Sequence, residues 1–329
     1  MNLHFKTAIE TFPIAGTFTI SRGPRTEVNV VTVEIGDGEH RGIGECVPYA
    51  RYGETPESVV KQIEDASGQG AARLTRRTLQ HAIPAGAARN AIDSAFWDLE
   101  AKRAGKRAWE LPDWPGKAPS TLTTAYTISL NEPSAMAAQA KGQASRPLLK
   151  VKLGGAGDDA RIRAVRAAAP DARLIVDANE AWDEACFAAN LAACADADVE
   201  LIEQPLPAGK DDHLLNADSP IPFCADESIH DAASMDAVLG RYGAINIKLD
   251  KTGGLTGAIQ LAARAKAEGL TVMVGCMLGT SLAMAPAFLI AQDAAFVDLD
   301  APLLLAKDRA HPLRFEGSTV FPPDAELWG

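Results

Sequence analysis

Between about residue 120 and residue 300, short apolar runs rich in β-branched residues alternate with longer, alanine-rich runs of helical spacing. The apolar runs are "TLTTAYTIS", "LLKVKLG", "ARLIVDAN", "VELIEQP", "IPFCADES", "AINIKLDK", "LTVMVG" and "FVDLDAP". They predict eight strands. The polar residues that end six of them fall at 150, 177, 203, 226, 248 and 298, and the first four gaps are 27, 26, 23 and 22. The uncharged "LTVMVG" run divides the wider gap from 248 to 298. A period of roughly 25 residues is what one strand and one crossover helix occupy in a parallel βα barrel. Strands that read as continuous apolar runs also fit a sheet covered by helices. An open, doubly wound sheet explains the alternation. It does not explain a charge at the same end of almost every strand. No GxGxxG follows the first strand, and "DKTGGL" lacks the ending of a phosphate loop.

The first 118 residues have a mixed texture. Glu27 to Ile35, "EVNVVTVEI", predicts a strand, and "GDGEHRGIGE" a turn and a second strand. Ala87 to Lys102 predicts a helix with Ile92, Phe96 and Leu99 on one face and Gly105 placed to cap it. "PDWPGKAP", Pro112 to Pro119, is dense in turn formers and marks a boundary. The uncharged stretch from Gly269 to Ala291 is long enough to cross a bilayer. Its internal Gly, Thr, Ser and Pro and its lack of basic flanks favour a strand, a loop and a core helix.

Within that frame the charges become informative. In "LLKVKLGG" Lys150 and Lys152 are two residues apart, so a strand points both to one face. Asp177, Glu203 and Asp226 end three consecutive strands, where three bare carboxylates would repel one another. A hard divalent cation resolves this, and oxygen-only ligation suits Mg²⁺. Taken singly, each carboxylate reads as a salt-bridge partner or a helix cap. Lys248 ends the sixth strand, facing the second strand across a barrel of eight. Two bases on opposite sides of one carbon, beside a metal, can remove a proton from one face and return one to the other. The acid is a weak one, a carbon α to a carboxylate. A metal and a further cation stabilise the resulting enediolate. The abstracting lysine must lose its own proton, so its pKa is expected to fall. Asp298 and Asp300 form another pair on one face, either neutralised by nearby lysines or receiving a cationic substrate group.

The net charge of −11 and pI near 5.1 argue against a nucleic-acid or anionic-membrane binder. The five cysteines, at 46, 186, 194, 224 and 276, show no zinc spacing and fit a reducing cytoplasm. "MNLHFKTAIETF" carries no apolar run of signal-peptide length. The expected setting is cytoplasmic.

"KVK", "VDAN", "IEQP", "ADES" and "INIKLDKTGG" resemble, in order and spacing, the enolase superfamily and its muconate-lactonising subgroup. "GIGECVPYARYGE" and "AARNAIDSAFWDL" extend the likeness into the first 118 residues, and "DLDAP" is similar to the dipeptide epimerases, the L-Ala-D/L-Glu epimerases of murein peptide recycling among them. The lysine-plus-Mg²⁺ logic of this superfamily is a general precedent. The resemblance implies an α/β fold with a (β/α)₇β barrel over 119–304. An α+β cap over 1–118 would be completed by about 305–329. It implies Lys152 and Lys248 as acid/base pair, Lys150 at the enolate oxygen, and one Mg²⁺ on Asp177, Glu203 and Asp226. Asn179 and Glu227 would stand in support. Thr127 would touch substrate, and Asp298 and Asp300 would hold a dipeptide's α-ammonium. Loops near Ile20–Arg25 and Pro48–Gly53 would close over it. Either Arg22 or Arg25 would bind a glutamate side chain. The partner would be a small dipeptide, with no nucleic acid or membrane, and the choice between monomer and homo-oligomer stays open. Rival readings are an N-acylamino acid racemase, a cycloisomerase or an o-succinylbenzoate synthase of the same superfamily. Further away lie a Schiff-base lysine aldolase and a binding protein that kept the barrel.

Overall fold

The structure is a computed structural model, which describes residues 3–68 and 74–329. The chain starts with an antiparallel sheet: β1 (His4–Ile20) pairs with β2 (Gly23–Gly36), and β2 with β3 (Arg41–Cys46). β2 and β3 are the two predicted strands. β1 was not expected, because Pro13 interrupts its pattern; proline is tolerated on an edge strand, which β1 is. Its pairing shifts register between Pro13 and Phe18. The helices α1 (Pro56–Gly68), α2 (Arg76–Ala82) and α3 (Ala87–Ala104) follow, the first two also beyond the sequence reading. Val31, Val33 and Ile35 of β2 share one core with Ile63, Leu79, Ile92, Phe96 and Leu99. Gly105 ends α3 as expected, left-handed at φ +60°. β3 and α3 are almost in backbone contact: a Cβ on Gly42 would fall 2.1 Å from the carbonyl oxygen of Ala95, and one on Gly44 2.1 Å from that of Ala91. Only glycine fits there.

Beyond β4 (Leu122–Thr123), the strands β5 (Tyr126–Ile128), β6 (Leu148–Lys152), β7 (Arg173–Asp177) and β8 (Val199–Glu203) run parallel in chain order, followed by β9 (Phe223–Ala225), β10 (Ala244–Ile247), β11 (Thr271–Gly275) and β12 (Phe296–Asp298). The amide of Ala125 donates to the carbonyl of Val297 at 2.8 Å and joins the first strand to the last. All eight predicted strands are present, with one correction. "TLTTAYTIS" is two strands, and β4 leaves the barrel to pair within a small sheet completed by β13 (Phe315–Glu316) and β14 (Thr319–Val320).

The outer layer holds α4 (Pro133–Gly142), α5 (Asp158–Ala168), α6 (Glu184–Asp196), α7 (Leu249–Thr252), α8 (Leu255–Ala267), α9 (Ser281–Ile290) and α10 (Ala301–Leu304). The crossovers from β8 to β9 and from β9 to β10 carry 3₁₀ turns, Asp212–Asn216 and Ala232–Ala237, instead of the expected α-helices. These are the two shortest periods in the sequence. The Gly269–Ala291 stretch is β11, a loop and α9, and among the described residues no helix is long and apolar enough to cross a membrane.

Inside the barrel, Ala125, Leu148, Ile175, Leu201, Cys224, Ala244, Met273 and Phe296 form one apolar layer, a residue from each strand or its edge. Strand side chains repeat their facing every second residue. Two positions further along, six of these strands therefore present Lys150, Asp177, Glu203, Asp226, Asn246 and Asp298. The apolar floor supports a polar storey above it. The chain's last stretch returns to α3, where the buried Trp328 donates its indole N–H to the carbonyl of Ser94 at 2.9 Å.

Candidate active site

The polar storey opens on a cavity of about 70 Å³. Arg22, Arg25, Thr127, Lys152, Asn179, Asp226, Lys248, Asp298 and Asp300 all line it. Lys150, Asp177, Glu203 and Glu227 are buried and connect to those lining residues through the ion pairs and hydrogen bonds described below.

Two lysines in one apolar strand are tolerated because each finds acid. Lys150 Nζ lies 2.7 Å from Asp298 Oδ2, 2.6 Å from Glu203 Oε2 and 3.2 Å from Asp177 Oδ2. Lys152 Nζ donates to Asp177 Oδ2 at 2.5 Å. Across the barrel, Lys248 Nζ donates to Asp226 Oδ2 at 2.6 Å and lies 3.9 Å from Glu203 Oε1. The three carboxylates expected to converge are thus bridged by ammonium groups. Among the described residues, no three His, Cys, Asp or Glu side chains are grouped tightly enough to chelate an ion as they stand.

The electrostatics follow from this packing. Burial pulls the Lys150 ammonium down, but Asp298, Glu203 and Asp177 outweigh it and hold the group well above its usual value. Lys248 behaves likewise: burial is outweighed by Asp226 and Glu203. For these two lysines the nearby acids win over desolvation; the expected fall applies to an abstracting lysine beside Mg²⁺. Burial also works against ionised Asp177, yet Lys152, Lys150 and Lys248 keep it below the ordinary carboxylate range. In Glu203, burial and then Asp177 push the carboxyl up. Burial, with Asp226 and Asp177, lifts Glu227 to about 7.

Several contributors escaped the sequence reading. Lys251 is fully buried, and its Nζ donates to Asp226 Oδ1, to the carbonyl of Asp226 at 2.6 Å and to that of Asn246 at 3.1 Å. Asn246 donates to Glu203 Oε1 at 2.7 Å. Tyr49 contacts both arginines, each 5.5 Å from its ring centroid. Its hydroxyl accepts from Arg22 Nε at 3.0 Å and Nη2 at 2.8 Å. Arg22 also pairs with Glu227 at 2.8 Å and Glu180 at 3.3 Å. Arg51 forks onto Glu180 at 2.8 Å through Nε and Nη2. Ser21 donates to the carbonyl of Asn179 at 2.9 Å. Both expected loops therefore reach the barrel mouth. Asp300 accepts the amide of Thr127 at 2.6 Å, and Asp298 spends Oδ2 on Lys150.

The site suits an oxygen-seeking cation. Among the described residues, the buried side-chain oxygens without a hydrogen-bond partner are those of Asn179, Glu203, Glu227, Asn246 and Asp298, all of them here. Of these, Glu203 Oε2 meets Lys150 as an ion pair only. Six buried carboxylates (Asp177, Glu203, Asp226, Glu227, Asp298 and Asp300) face four buried ammonium groups and, at Glu227, the Arg22 guanidinium. A divalent cation offsets that excess, and the all-oxygen donor set is one that Mg²⁺ accepts.

Comparison with known proteins gives a consistent picture. Residues 135–326 match the enolase C-terminal domain-like family, and residues 4–111 match the N-terminal domain of mandelate racemase and muconate lactonizing enzyme. The L-Ala-D/L-Glu epimerase of Escherichia coli K12 is 47% identical over 93% of this chain and 95% of its own. An N-acetyl-D-glutamate racemase from Pseudoalteromonas is 45% identical over 91% and 95%. A solved enolase-family structure from Agrobacterium tumefaciens, with homology to dipeptide epimerases and bound sodium and L-Ala-L-Glu, superposes with a TM-score of 0.97 at 55% identity, covering 99% of this chain and 100% of that one.

Proposed function

The chain belongs to the enolase superfamily, in its mandelate racemase and muconate lactonizing enzyme branch, and on that footing we propose that it is a Mg²⁺-dependent dipeptide epimerase that inverts the C-terminal residue of L-Ala-D/L-Glu-type dipeptides. The observation that carries the reading is one cavity lined at once by Lys152, Lys248 and the Asp298/Asp300 pair. An aldolase needs one lysine and no opposite partner. A cycloisomerase has no use for paired acids at the cavity wall.

In this reading Asp177, Glu203 and Asp226 hold the metal. When bound, Mg²⁺ would supply positive charge for a carboxylate becoming an enediolate. Lys152 takes the α-proton from one face and Lys248 returns one to the other; the roles reverse for the epimer. Lys150, held charged by three acids, donates to the growing enolate oxygen. Asp298 Oδ1, buried and without a hydrogen-bond partner, accepts the α-ammonium together with Asp300. Arg25, rather than Arg22, receives the glutamate carboxylate, because Tyr49, Glu180 and Glu227 already engage Arg22. The product would enter murein peptide recycling. A second reading is an N-acylglutamate racemase. The 45% identity to the Pseudoalteromonas racemase favours it, as does the neutralisation of Asp298 by Lys150.

The test is mass-spectrometric exchange of the α-proton in D₂O over a panel of dipeptides plus N-acetyl-D-glutamate, with and without Mg²⁺. Ala-Glu among the best substrates supports the proposal. N-acetylglutamate exchanging in preference to every dipeptide moves it to the second reading, and no exchange on any compound sinks both.

A further inference from the structure

The "AARNAIDSAFWDL" helix, α3, lies outside the catalytic cavity, yet it buries Arg89, Asn90 and Asp93 at 8%, 1% and 0% exposure. All three reach the segment that follows Lys248, from α7 to the first turn of α8. Asn90 Nδ2 donates to Asp250 Oδ1 at 2.8 Å, an oxygen that also accepts the amide of Val47 at 3.0 Å. Arg89 Nη2 donates to the carbonyl of Thr252 at 2.9 Å and Nε to that of Gly253 at 3.3 Å. Asp93 Oδ2 accepts the amide of Thr256 at 2.9 Å. The contact is tight. A Cβ on Gly253 would lie 2.2 Å from Arg89 Nε, and one on Gly254 would lie 2.5 Å from the Asp93 side chain. Among the described residues Arg89 forms no ion pair; its acceptors are carbonyls. Burial still outweighs the pull of nearby Asp93 and Asp231 on this guanidinium, so keeping it here is costly, which argues for a task.

The two catalytic lysines differ in how they are held. Lys152 sits within β6, in register with Asp177 of β7, so the sheet itself fixes its backbone. Lys248 lies one residue beyond β10, at the N-cap of the single-turn helix α7. Its orientation depends on that turn. The turn is pinned on the barrel side by Lys251 and on the other by α3.

We infer that Arg89 and Asn90 are positioning residues for Lys248, so that a helix of the N-terminal region sets the aim of one of the two bases and not the other. The inference rests on the epimerase reading, and the experiment separates the two. Exchange of the α-proton in D₂O is measured from L-Ala-L-Glu and L-Ala-D-Glu separately, with Mg²⁺, for wild type, Lys248→Ala, Asn90→Ala and Arg89→Lys, beside thermal unfolding of each. Lys248→Ala identifies the diastereomer that this lysine deprotonates. A displacement of about 1 Å costs about a hundredfold in rate. The α3 variants should therefore lose about that much exchange from the same diastereomer and keep near-wild-type exchange from the other, with KM little changed. Equal losses from both diastereomers in folded variants, or a loss from the opposite one, overturn the inference. Absence of exchange in the wild type overturns the epimerase reading instead. Should Asn90→Ala not fold, Arg89→Lys keeps charge and bulk and carries the same comparison.

Discussion

Replacing Glu180 by Gln should loosen the cover over the cavity without touching the reacting groups. Glu180 accepts two bonds from Arg51 at 2.8 Å, one from Arg22 at 3.3 Å and one from the amide of Ala208 at 2.9 Å. Gln retains the last and loses both ion pairs. A hydrogen bond to a charged group is worth about 1.5–3 kcal/mol. The Arg51 and Arg22 side chains are 38% and 26% exposed, so solvent screening brings each pair down to roughly 1 kcal/mol or less. Together they favour the closed loops by about 1.5 kcal/mol, which is roughly tenfold in the ratio of closed to open. KM for the dipeptide should rise by about that factor with kcat little changed. Hydrogen exchange at the amides of residues 21–25 should quicken. Raising NaCl to about 1 M, where the screening length is about 3 Å, should push wild type toward the variant and move the variant less, since only its Arg22–Glu227 pair remains to be screened. Burial opposes ionised Glu180, but its bonds with Arg51 and Ala208 outweigh that and hold its carboxyl low. The latch should therefore persist through neutral pH and fail only as pH falls through that depressed value. Unchanged loop protection together with an unchanged KM would show that these arginines do not hold the cover.

Two further outcomes are expected. Arg25→Leu should lower kcat/KM for Ala-Glu by about 10- to 150-fold, the loss of a charged hydrogen bond of about 1.5–3 kcal/mol, while Ala-Leu turnover holds or improves; steady-state kinetics on the two dipeptides decides this. Burial raises Asp93 to about 6 and Asp250 to about 7. A carboxyl raised on folding favours the folded state at low pH, and that benefit fades as pH climbs from the unfolded value, near 4, through the folded one. Asp250→Asn should flatten the decline in stability between about pH 4 and about pH 7, as read from denaturant titrations across that range.

The barrel was legible because its strands are buried on both faces and end in charge. That writes an apolar run and a polar stop into six of the eight periods. β1 left no such mark, since an edge strand with Pro13 inside it has no clean alternation. The two 3₁₀ crossovers were hidden by the same logic: a period predicts that something returns the chain to the next strand, not its hydrogen bonding. The site's residue types could be read from strand ends alone. Their pairing could not, because Lys150 finds Asp298 across 148 residues of sequence. Lys251 was missed because it stands in a helical turn three residues past Lys248, outside the two-residue rhythm of a strand. What sets Arg22 apart from Arg25 is its hydrogen bonds to Tyr49, contributed by a different loop.

The glycine seam has a further implication. Gly42 and Gly44 bring β3 against one side of α3, and Gly253 and Gly254 bring the barrel against another, so the helix is clasped between the two layers like a shared wall. A wall common to two rooms cannot swing. Opening this enzyme by rotating the N-terminal region as a rigid body would tear Arg89, Asn90 and Asp93 from the Lys248 loop; substrate traffic is left to the short loops at the rim. Anyone recombining the two halves between relatives inherits the same constraint: the helix and the loop it clasps have to be exchanged together.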